Sequence, residues 1–140
     1  MRQRIGEIEI ATTGPGLVSV HRLIEDWLAA DPVEDGLLTA LIQHTSASLT
    51  IQENADPDVL RDLQDAIAAF APHGGAERYR HHQEGSDDMA SHIRTVLSGV
   101  NLSIPVRQGR LMLGTWQGIY LWEHRDGGRR RRIALHLIGN

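Results

Sequence analysis

The greatest density of chemically versatile residues lies between positions 79 and 92. This stretch contains three histidines and three acidic residues, namely His81, His82, Glu84, Asp87, Asp88 and His92. Neutral imidazole and carboxylate groups are good ligands for zinc and other divalent cations, and both can carry protons. The stretch therefore predicts a metal site or an acid–base site. The alternative is that His81 and His82 are solvated loop residues and that His92 only forms hydrogen bonds on a helix.

A helix is predicted directly after this loop. Ser86 is a suitable N-cap, and Asp87 and Asp88 are favourable near the positive end of the helix dipole. Apolar residues then recur at helical spacing, and Gly99 ends the helix. His92 lies one turn after Asp88, on or beside the apolar face, so its imidazole is expected to point inwards.

A second candidate, His44, follows an apolar segment at residues 37–42 that is predicted to be a buried strand. Thr45, Ser46 and Ser48 supply hydroxyl groups immediately after it. A histidine at the end of a strand is in a common active-site position, where it could bind a metal or carry a proton. The alternative is a core histidine whose hydrogen bonds are satisfied internally.

Two further segments contain polar residues that could bind a substrate. At residues 114–118, two glycines flank a tryptophan and Gln117, and glycine in a strand often marks a bulge or the close approach of a ligand. Gln117 and Glu123 would lie on the same face of a predicted strand, so both could face one pocket. The arginines at residues 129–132 could bind phosphate, with two on each face of a strand. The structural alternatives are a kinked, packed strand and a solvated hairpin end.

Composition limits the class of protein. A chain of 140 residues with 41% apolar residues is long enough for one domain with a substantial core. The net charge of -4 argues against general nucleic-acid binding, and the absence of cysteine excludes disulfides and thiolate metal sites. No segment resembles a membrane span or a signal peptide, so a soluble cytoplasmic protein is expected.

The hydrophobic pattern predicts an α+β fold with antiparallel sheets and about three helices, in a single domain that spans residues 1–140. Strands are predicted at residues 5–10, 37–42, 49–52, 100–106, 110–123 and 129–138, and helices at residues 17–28, 56–70 and 86–99. Trp116, Tyr120 and Trp122 alternate along one strand and would form an aromatic face. A small domain does not readily cover such a face, so it is expected to lie in the core or between subunits.

Three motifs together resemble the YjbQ family, which is also called the secondary thiamine-phosphate synthase family. They are the His-Thr-Ser-Ala-Ser block that begins residues 44–54, the histidine-rich segment at residues 79–92, and the Gly-Thr-Trp-Gln block at residues 114–117 with Glu123 downstream. The resemblance runs from residue 5 to residue 139, which is nearly the whole chain.

The resemblance implies an α+β fold of antiparallel sheets and helices, and a compact homotrimer whose polar residues gather in a pocket. By position it implies catalytic roles for His44, Glu84, Gln117 and Glu123, substrate binding by Ser46, Thr115 and Arg131, and metal binding by His44, His81 and His92. The family often has asparagine near position 88, so Asp88 stays outside the predicted site, and His82 matches no shared position.

The activity attached to the family is a weak synthesis of thiamine phosphate, in which hydroxymethylpyrimidine pyrophosphate is joined to a thiazole phosphate. Pyrophosphate must leave from a benzylic-type carbon, and a divalent cation such as zinc or magnesium could neutralise its charge. The implied partner is a small phosphorylated molecule, with no nucleic acid and no membrane. A metal-dependent hydrolase would use nearly the same residues, and a non-catalytic trimer that binds a metal or an anion is a third interpretation.

We predict that the protein is a homotrimer in solution, on the basis of the aromatic hairpin and the family resemblance. Multi-angle light scattering should give three times the chain mass of 15.5 kDa at micromolar concentrations. The mass of one chain throughout that range would contradict the prediction.

Overall fold

Two antiparallel sheets form the framework of the protein, whose computed structural model describes residues 1–140. In chain order the elements are β1 (Arg2–Ala11), β2 (Gly16–Ser19), α1 (His21–Ala30), β3 (Asp35–Ile42), β4 (Ala47–Glu53), α2 (Pro57–Phe70), α3 (Asp88–Ser98), β5 (Asn101–Arg107), β6 (Arg110–Leu111), β7 (Gln117–Glu123) and β8 (Arg130–Gly139). The larger sheet has five strands in the order β1-β8-β3-β5-β6, and the smaller sheet has three in the order β2-β7-β4. The predicted α+β fold with three helices is confirmed.

The hydrophobic core contains side chains from both sheets and from α1. Strand alternation places Ile133, Leu135 and Leu137 of β8 on the buried face, as the sequence pattern predicts. Ile24 and Leu28 are one helical turn apart on α1, and both pack into the same core cluster. Removing this apolar surface from water is the main force that holds the two sheets together.

Local sequence signals explain two helix ends. Asp56 caps α2, because its carboxylate accepts a 2.9 Å hydrogen bond from the backbone N–H of Asp58, and Pro57 occupies the first helical position. Gly99 follows the last turn of α3 with a φ of 100°, which residues other than glycine rarely adopt. Both ends confirm the predictions. None of the three helices is long and apolar enough to cross a membrane.

Two predicted helix starts are wrong. The helix expected from residue 17 begins at His21, because Gly16–Ser19 instead forms β2 and pairs with β7. Over so short a segment, the apolar spacing fits a strand and a helix equally well. At α3 the N-cap is Asp87 rather than Ser86, and the Asp87 side chain makes no cap hydrogen bond because it binds Arg125.

The predicted aromatic face is interrupted by the start of β7. Trp122 is only 6% exposed, and its indole N–H donates a 2.7 Å hydrogen bond to Gln64 on α2. Tyr120 is also buried. Trp116 precedes β7 and is 65% exposed in the single chain, so it does not belong to the core.

We predict that Trp122→Ala lowers the free energy of unfolding by about 3–5 kcal/mol, because it removes a buried aromatic side chain and leaves a cavity. Trp116→Ala is the matched control and should change the unfolding free energy by less than about 0.5 kcal/mol. Urea unfolding, followed by tryptophan fluorescence at submicromolar protein concentrations that favour the single chain, measures both. A loss below about 1 kcal/mol for Trp122→Ala would show that its indole contributes little packing.

Candidate metal centre

Three chain connections meet beside the first turns of α3. The loop between α2 and α3 carries His81. The connection after β3 contributes the carbonyl of Thr45, which lies 2.9 Å from Nδ1 of His92. The connection after β7 contributes the carbonyl of His124, which accepts a 2.9 Å hydrogen bond from the hydroxyl of Ser91. These contacts fix α3 against both sheets and bring side chains from distant parts of the chain together.

Two histidines and one aspartate form a compact cluster at this junction. The Nε2 atoms of His81 and His92 lie 2.5 Å and 3.2 Å from the same carboxylate oxygen, Oδ2 of Asp88. All three potential ligand atoms are within 4.8 Å of one another. Asp88 is buried, whereas the side chains of His81 and His92 are 44% and 31% exposed. The cluster is therefore open to solvent on the histidine side.

The hydrogen bonds of His92 indicate which of its ring nitrogens is available to a ligand. Its Nδ1 atom must donate a proton to the Thr45 carbonyl, because a carbonyl can only accept. In the neutral ring, Nε2 then has a lone pair, and this lone pair faces the Asp88 carboxylate. Either a second proton on the imidazole or a metal ion removes that repulsion. A histidine that donates its other N–H to a backbone carbonyl is in the usual arrangement for a metal ligand.

The donor set fits a divalent cation of the zinc type. Two imidazole nitrogens and one carboxylate oxygen are the protein ligands of some catalytic zinc sites, where water or substrate takes the fourth position. Bonds of about 2.0–2.2 Å place tetrahedral ligand atoms about 3.4 Å apart. The observed separations, 2.5 Å and 3.2 Å from Oδ2 of Asp88 and at most 4.8 Å overall, are comparable with this spacing. Imidazole and carboxylate groups in this arrangement are also capable of acid–base chemistry.

Arg125 and the two histidines surround the carboxylate of Asp88 with positive or hydrogen-bonding groups. The Nη1 atom of Arg125 donates a 2.8 Å hydrogen bond to Oδ1 of Asp88, the oxygen that does not face the histidines. Burial alone would raise the pKa of Asp88, but the hydrogen bond with His81 and the neighbouring positive charges outweigh burial. The pKa of Asp88 is consequently held below its usual value. Asp88 is ionised at neutral pH, as a metal ligand must be.

His44, expected as both a metal ligand and a catalytic residue, does not join the cluster. Its Nε2 atom accepts a 2.9 Å hydrogen bond from the backbone N–H of Arg132, so the lone pair of that nitrogen is already used. Burial, together with the charges of Arg131 and Arg132, lowers the pKa of His44 and keeps the ring neutral. The compact cluster in the structure therefore consists of two imidazoles and the carboxylate of Asp88, and His44 is not part of it.

Glu123, Arg131 and Ser46, expected to contact a substrate, instead form a buried network. Glu123 accepts hydrogen bonds from the Thr12 hydroxyl at 2.6 Å and from Nε of Arg131 at 2.8 Å. Arg131 also donates to the Ser46 hydroxyl at 3.0 Å. Burial alone would raise the pKa of Glu123, but the hydrogen bonds from Arg131 and Thr12 outweigh it and lower the pKa. Because all three side chains lie inside the chain, they support the site rather than face it.

The remaining predicted residues lie at separate places. Gln117 and Glu123 are at opposite ends of β7. At about 3.3 Å per residue they are about 20 Å apart, so the expected shared pocket does not exist within one chain. Thr115 precedes β7 beside Gln117 and is exposed. Glu84 is exposed in the loop before α3, where its backbone carbonyl accepts a 3.0 Å hydrogen bond from Arg125.

Asp88, Asp87 and Arg125 belong to the site but have weak sequence signals or none. Asp88 and His92 are four positions apart and share one face of a helix, which is a spacing that indicates a ligand pair. Asp87 and Arg125 form a 2.8 Å ion pair although they are 38 positions apart. No local pattern predicts such a pair, since only the folded topology brings these two residues together.

The fold and the cluster define the class of this molecule as a small α+β protein with two antiparallel sheets and a solvent-open site of two histidines and an aspartate. The chain belongs to the family described as UPF0047 protein YjbQ-like, whose model matches residues 6–140. The family resemblance indicated by the three motifs is therefore confirmed.

Known relatives match the chain over most of its length. UPF0047 protein sll1880 of Synechocystis sp. is 47% identical over 138 residues, which cover 99% of this chain and 93% of the relative. UPF0047 protein YjbQ of Salmonella typhimurium is 54% identical over 108 residues, which cover 77% of each chain. The crystal structure of hypothetical protein APE1520 from Aeropyrum pernix K1 has a TM-score of 0.89 at 30% identity, covering 98% of this chain and 99% of that one. These descriptions name no reaction, so the activity must be argued from the site.

A fully buried histidine near the site, His124, makes acid pH destabilising. Its Nε2 atom lies 2.8 Å from the Ser48 hydroxyl oxygen. Burial lowers the pKa of His124 to about 3, so the folded chain keeps this ring neutral. A histidine in an unfolded chain binds a proton below about pH 6.5. The unfolded state therefore binds more protons between these two values, and stability falls as pH decreases through that window.

We predict that the stabilising contribution of neutral His124 is fully present above about pH 6.5 and is lost as the pH falls toward about 3. The slope is at most about 1.4 kcal/mol per pH unit. His124→Gln should be less stable at neutral pH but should lack this part of the pH dependence. Urea unfolding of both proteins at several pH values between these limits measures the difference, and equal slopes would contradict the prediction.

Proposed function

We propose that the protein binds a divalent cation at His81, Asp88 and His92 and uses it on a small phosphorylated substrate. The observation that carries this proposal is the single carboxylate oxygen of Asp88 that lies 2.5 Å and 3.2 Å from two imidazole nitrogens. Because the histidine side of the cluster is exposed, a cation held there has coordination positions left for a phosphate oxygen.

Zinc fits this donor set better than magnesium. Imidazole suits zinc, whereas magnesium prefers oxygen ligands and keeps several waters in an octahedral arrangement. Two of the three side-chain ligands are imidazoles, so zinc or a similar transition-metal ion is the expected cation. Once bound, it supplies positive charge that stabilises negative charge on a phosphate or on a phosphorylated leaving group.

The reaction favoured by the family resemblance is the synthesis of thiamine phosphate from hydroxymethylpyrimidine pyrophosphate and a thiazole phosphate. In this transfer the thiazole ring nitrogen forms a bond to the benzylic-type carbon, while the bond between that carbon and the pyrophosphate oxygen breaks and its electron pair leaves with pyrophosphate. Negative charge grows on that oxygen, so a cation held by His81, Asp88 and His92, together with hydrogen-bond donors, would lower the barrier. The site contains the ligand set for the cation, and the neutral imidazole of His44 belongs to the segment whose Thr45 carbonyl contacts His92.

His44 and Arg132 are suited to contact the substrate, because His44 directly precedes Thr45, whose carbonyl contacts His92. His44 uses Nε2 to accept from the backbone of Arg132, so its neutral ring presents the Nδ1–H group as a donor. The guanidinium of Arg132 is exposed, whereas that of Arg131 is buried. Arg132 is also close enough to lower the pKa of His44. We therefore assign phosphate binding to Arg132 in place of Arg131.

A metal-dependent phosphoester hydrolase is the second candidate, and the donor set favours it. Two histidines with one carboxylate bind zinc in several hydrolytic enzymes. Hydrolysis needs water as the only second reactant, so it requires no pocket for a second organic molecule. Product analysis separates the two reactions, since the transferase forms a joined product and pyrophosphate, whereas the hydrolase releases an alcohol and phosphate.

We also propose that the functional form is a homotrimer. An apolar groove of about 470 Å³ lies between α2, α3 and the smaller sheet. Phe70 and Leu97 line this groove and are 78% and 59% exposed. Trp116 is a third large apolar side chain that the single chain leaves uncovered. Covering such surfaces with a second copy is favourable because it removes apolar area from water.

We predict that the metal-free protein binds one zinc ion per chain. His81→Ala and His92→Ala should each weaken zinc binding by at least about 10–100-fold, because loss of a residue that only supports a ligand already has an effect of that size. His82→Ala is the matched control, because His82 is adjacent to His81 but lies outside the cluster. Competition with a chromophoric chelator, using protein purified without a polyhistidine tag, measures each affinity. The proposed site is wrong if His81→Ala and His92→Ala bind zinc as the parent does.

Turnover provides the second measurement for the same variants. The zinc-loaded parent is incubated with the two thiamine precursors and, separately, with a simple phosphate monoester. Loss of product with His92→Ala but not with His82→Ala would support catalysis at this centre. Zinc binding without turnover of either substrate would support the non-catalytic metal-binding alternative.

A further inference from the structure

We propose that Arg125 is the positioning residue of the metal centre, because it holds the Asp88 carboxylate in the orientation that presents one defined oxygen to the cation. This inference rests on the proposed metal site and adds to it a residue that does not touch the cation. Arg125 belongs to the connection after β7, whereas the ligands belong to α3 and the loop before it.

Three hydrogen bonds connect the guanidinium of Arg125 to the segment that carries the ligands. The Nη1 atom of Arg125 donates to Oδ1 of Asp88 at 2.8 Å, its Nε atom to Oδ2 of Asp87 at 2.8 Å, and its Nη2 atom to the carbonyl of Glu84 at 3.0 Å. The side chain is 15% exposed, so solvent competes little for these contacts. A planar guanidinium fixes the directions of all three hydrogen bonds at once, which the ammonium group of lysine cannot do.

These contacts assign different roles to the two oxygens of Asp88. Arg125 occupies Oδ1, and Oδ2 is left facing His81 and His92. Without Arg125, the carboxylate could rotate and offer either oxygen, or both, to a cation. The orientation of a carboxylate ligand by a neighbouring donor is known to affect metal affinity by about 10–100-fold.

Arg125 is itself held in place by a further set of contacts. Asp87 accepts from the backbone N–H of Asp126 at 3.0 Å in addition to Arg125. Asp87 is also the N-cap residue of α3. The Asp87 carboxylate binds Arg125 and does not cap α3, although a cap would stabilise the helix. We infer that the ion pair contributes to the site rather than to the helix end.

Simple electrostatics and positioning predict opposite effects for loss of Arg125. The two carboxylates and the guanidinium carry charges of -1, -1 and +1, so the group retains a net negative charge that attracts a cation. Removing a positive charge close to a cation site should strengthen metal binding if charge alone matters. Positioning instead predicts weaker binding, because Asp88 loses its defined orientation. The sign of the change therefore distinguishes the two roles.

The test compares Arg125→Met, Arg125→Lys and a control in the same connection. Arg129→Met is the control, because the Arg129 guanidinium is exposed and donates only to the carbonyl of the preceding glycine at 3.0 Å. Zinc and cobalt affinities are measured by chelator competition, and the visible spectrum of bound cobalt reports its coordination. We expect Arg125→Met to weaken binding by about 10–100-fold with a changed cobalt spectrum, Arg125→Lys to recover part of the loss, and Arg129→Met to match the parent.

Chemical rescue separates positioning from a purely structural role. Free guanidinium at low millimolar concentration should restore metal affinity to Arg125→Ala, whereas sodium chloride at equal concentration should not. Parent-like or tighter binding by Arg125→Met overturns the inference while the proposed metal site stands. Loss of binding that neither lysine nor guanidinium recovers also overturns it, since the residue would then only support folding. A parent protein that binds no zinc overturns the proposed function and this inference together.

Discussion

The buried carboxylate of Glu123 joins the two sheets at the place from which the site is built. One oxygen accepts hydrogen bonds from Thr12 after β1 at 2.6 Å and from Arg131 of β8 at 2.8 Å. The other accepts from the backbone N–H groups of the next two residues at 3.0 Å and 3.2 Å. Arg131 extends the network to Ser46 after β3. Removing one partner of such a pair costs about 3–5 kcal/mol, because a charge is left buried and uncompensated.

The position of the candidate metal centre follows from this buried network. Arg125 comes two residues after Glu123, and its backbone N–H is one of the groups that Glu123 holds. Its side chain then fixes Asp87 and Asp88 at the start of α3. Rigidity is therefore transmitted from the interior to Asp88, while the two histidines remain partly exposed. A site that keeps its anionic ligand fixed and its neutral ligands accessible is suited to binding a cation together with an exchanging substrate.

The sequence predicts the parts of this structure that depend on local pattern. The alternation of β8, the cap of α2 by Asp56 and the end of α3 at Gly99 are all set by neighbouring residues. The same pattern places His92 beside the inner face of its helix. It does not distinguish a carboxylate that faces a substrate from one that pairs with a buried arginine, so Glu123 and Arg131 were expected in the site. Contacts such as that of Arg125 with Asp87 depend on topology, and no periodicity or motif indicates them.

The central claim is that one divalent cation is held by two imidazoles and a carboxylate on α3 and the loop before it. Anomalous diffraction at the zinc absorption edge, from crystals of the untagged protein grown with zinc, tests this most directly. The expected result is one strong peak per chain at about 2.0–2.2 Å from Nε2 of His81, Nε2 of His92 and Oδ2 of Asp88. A zinc ion bound by His44, or no peak within bonding distance of Asp88, would contradict it.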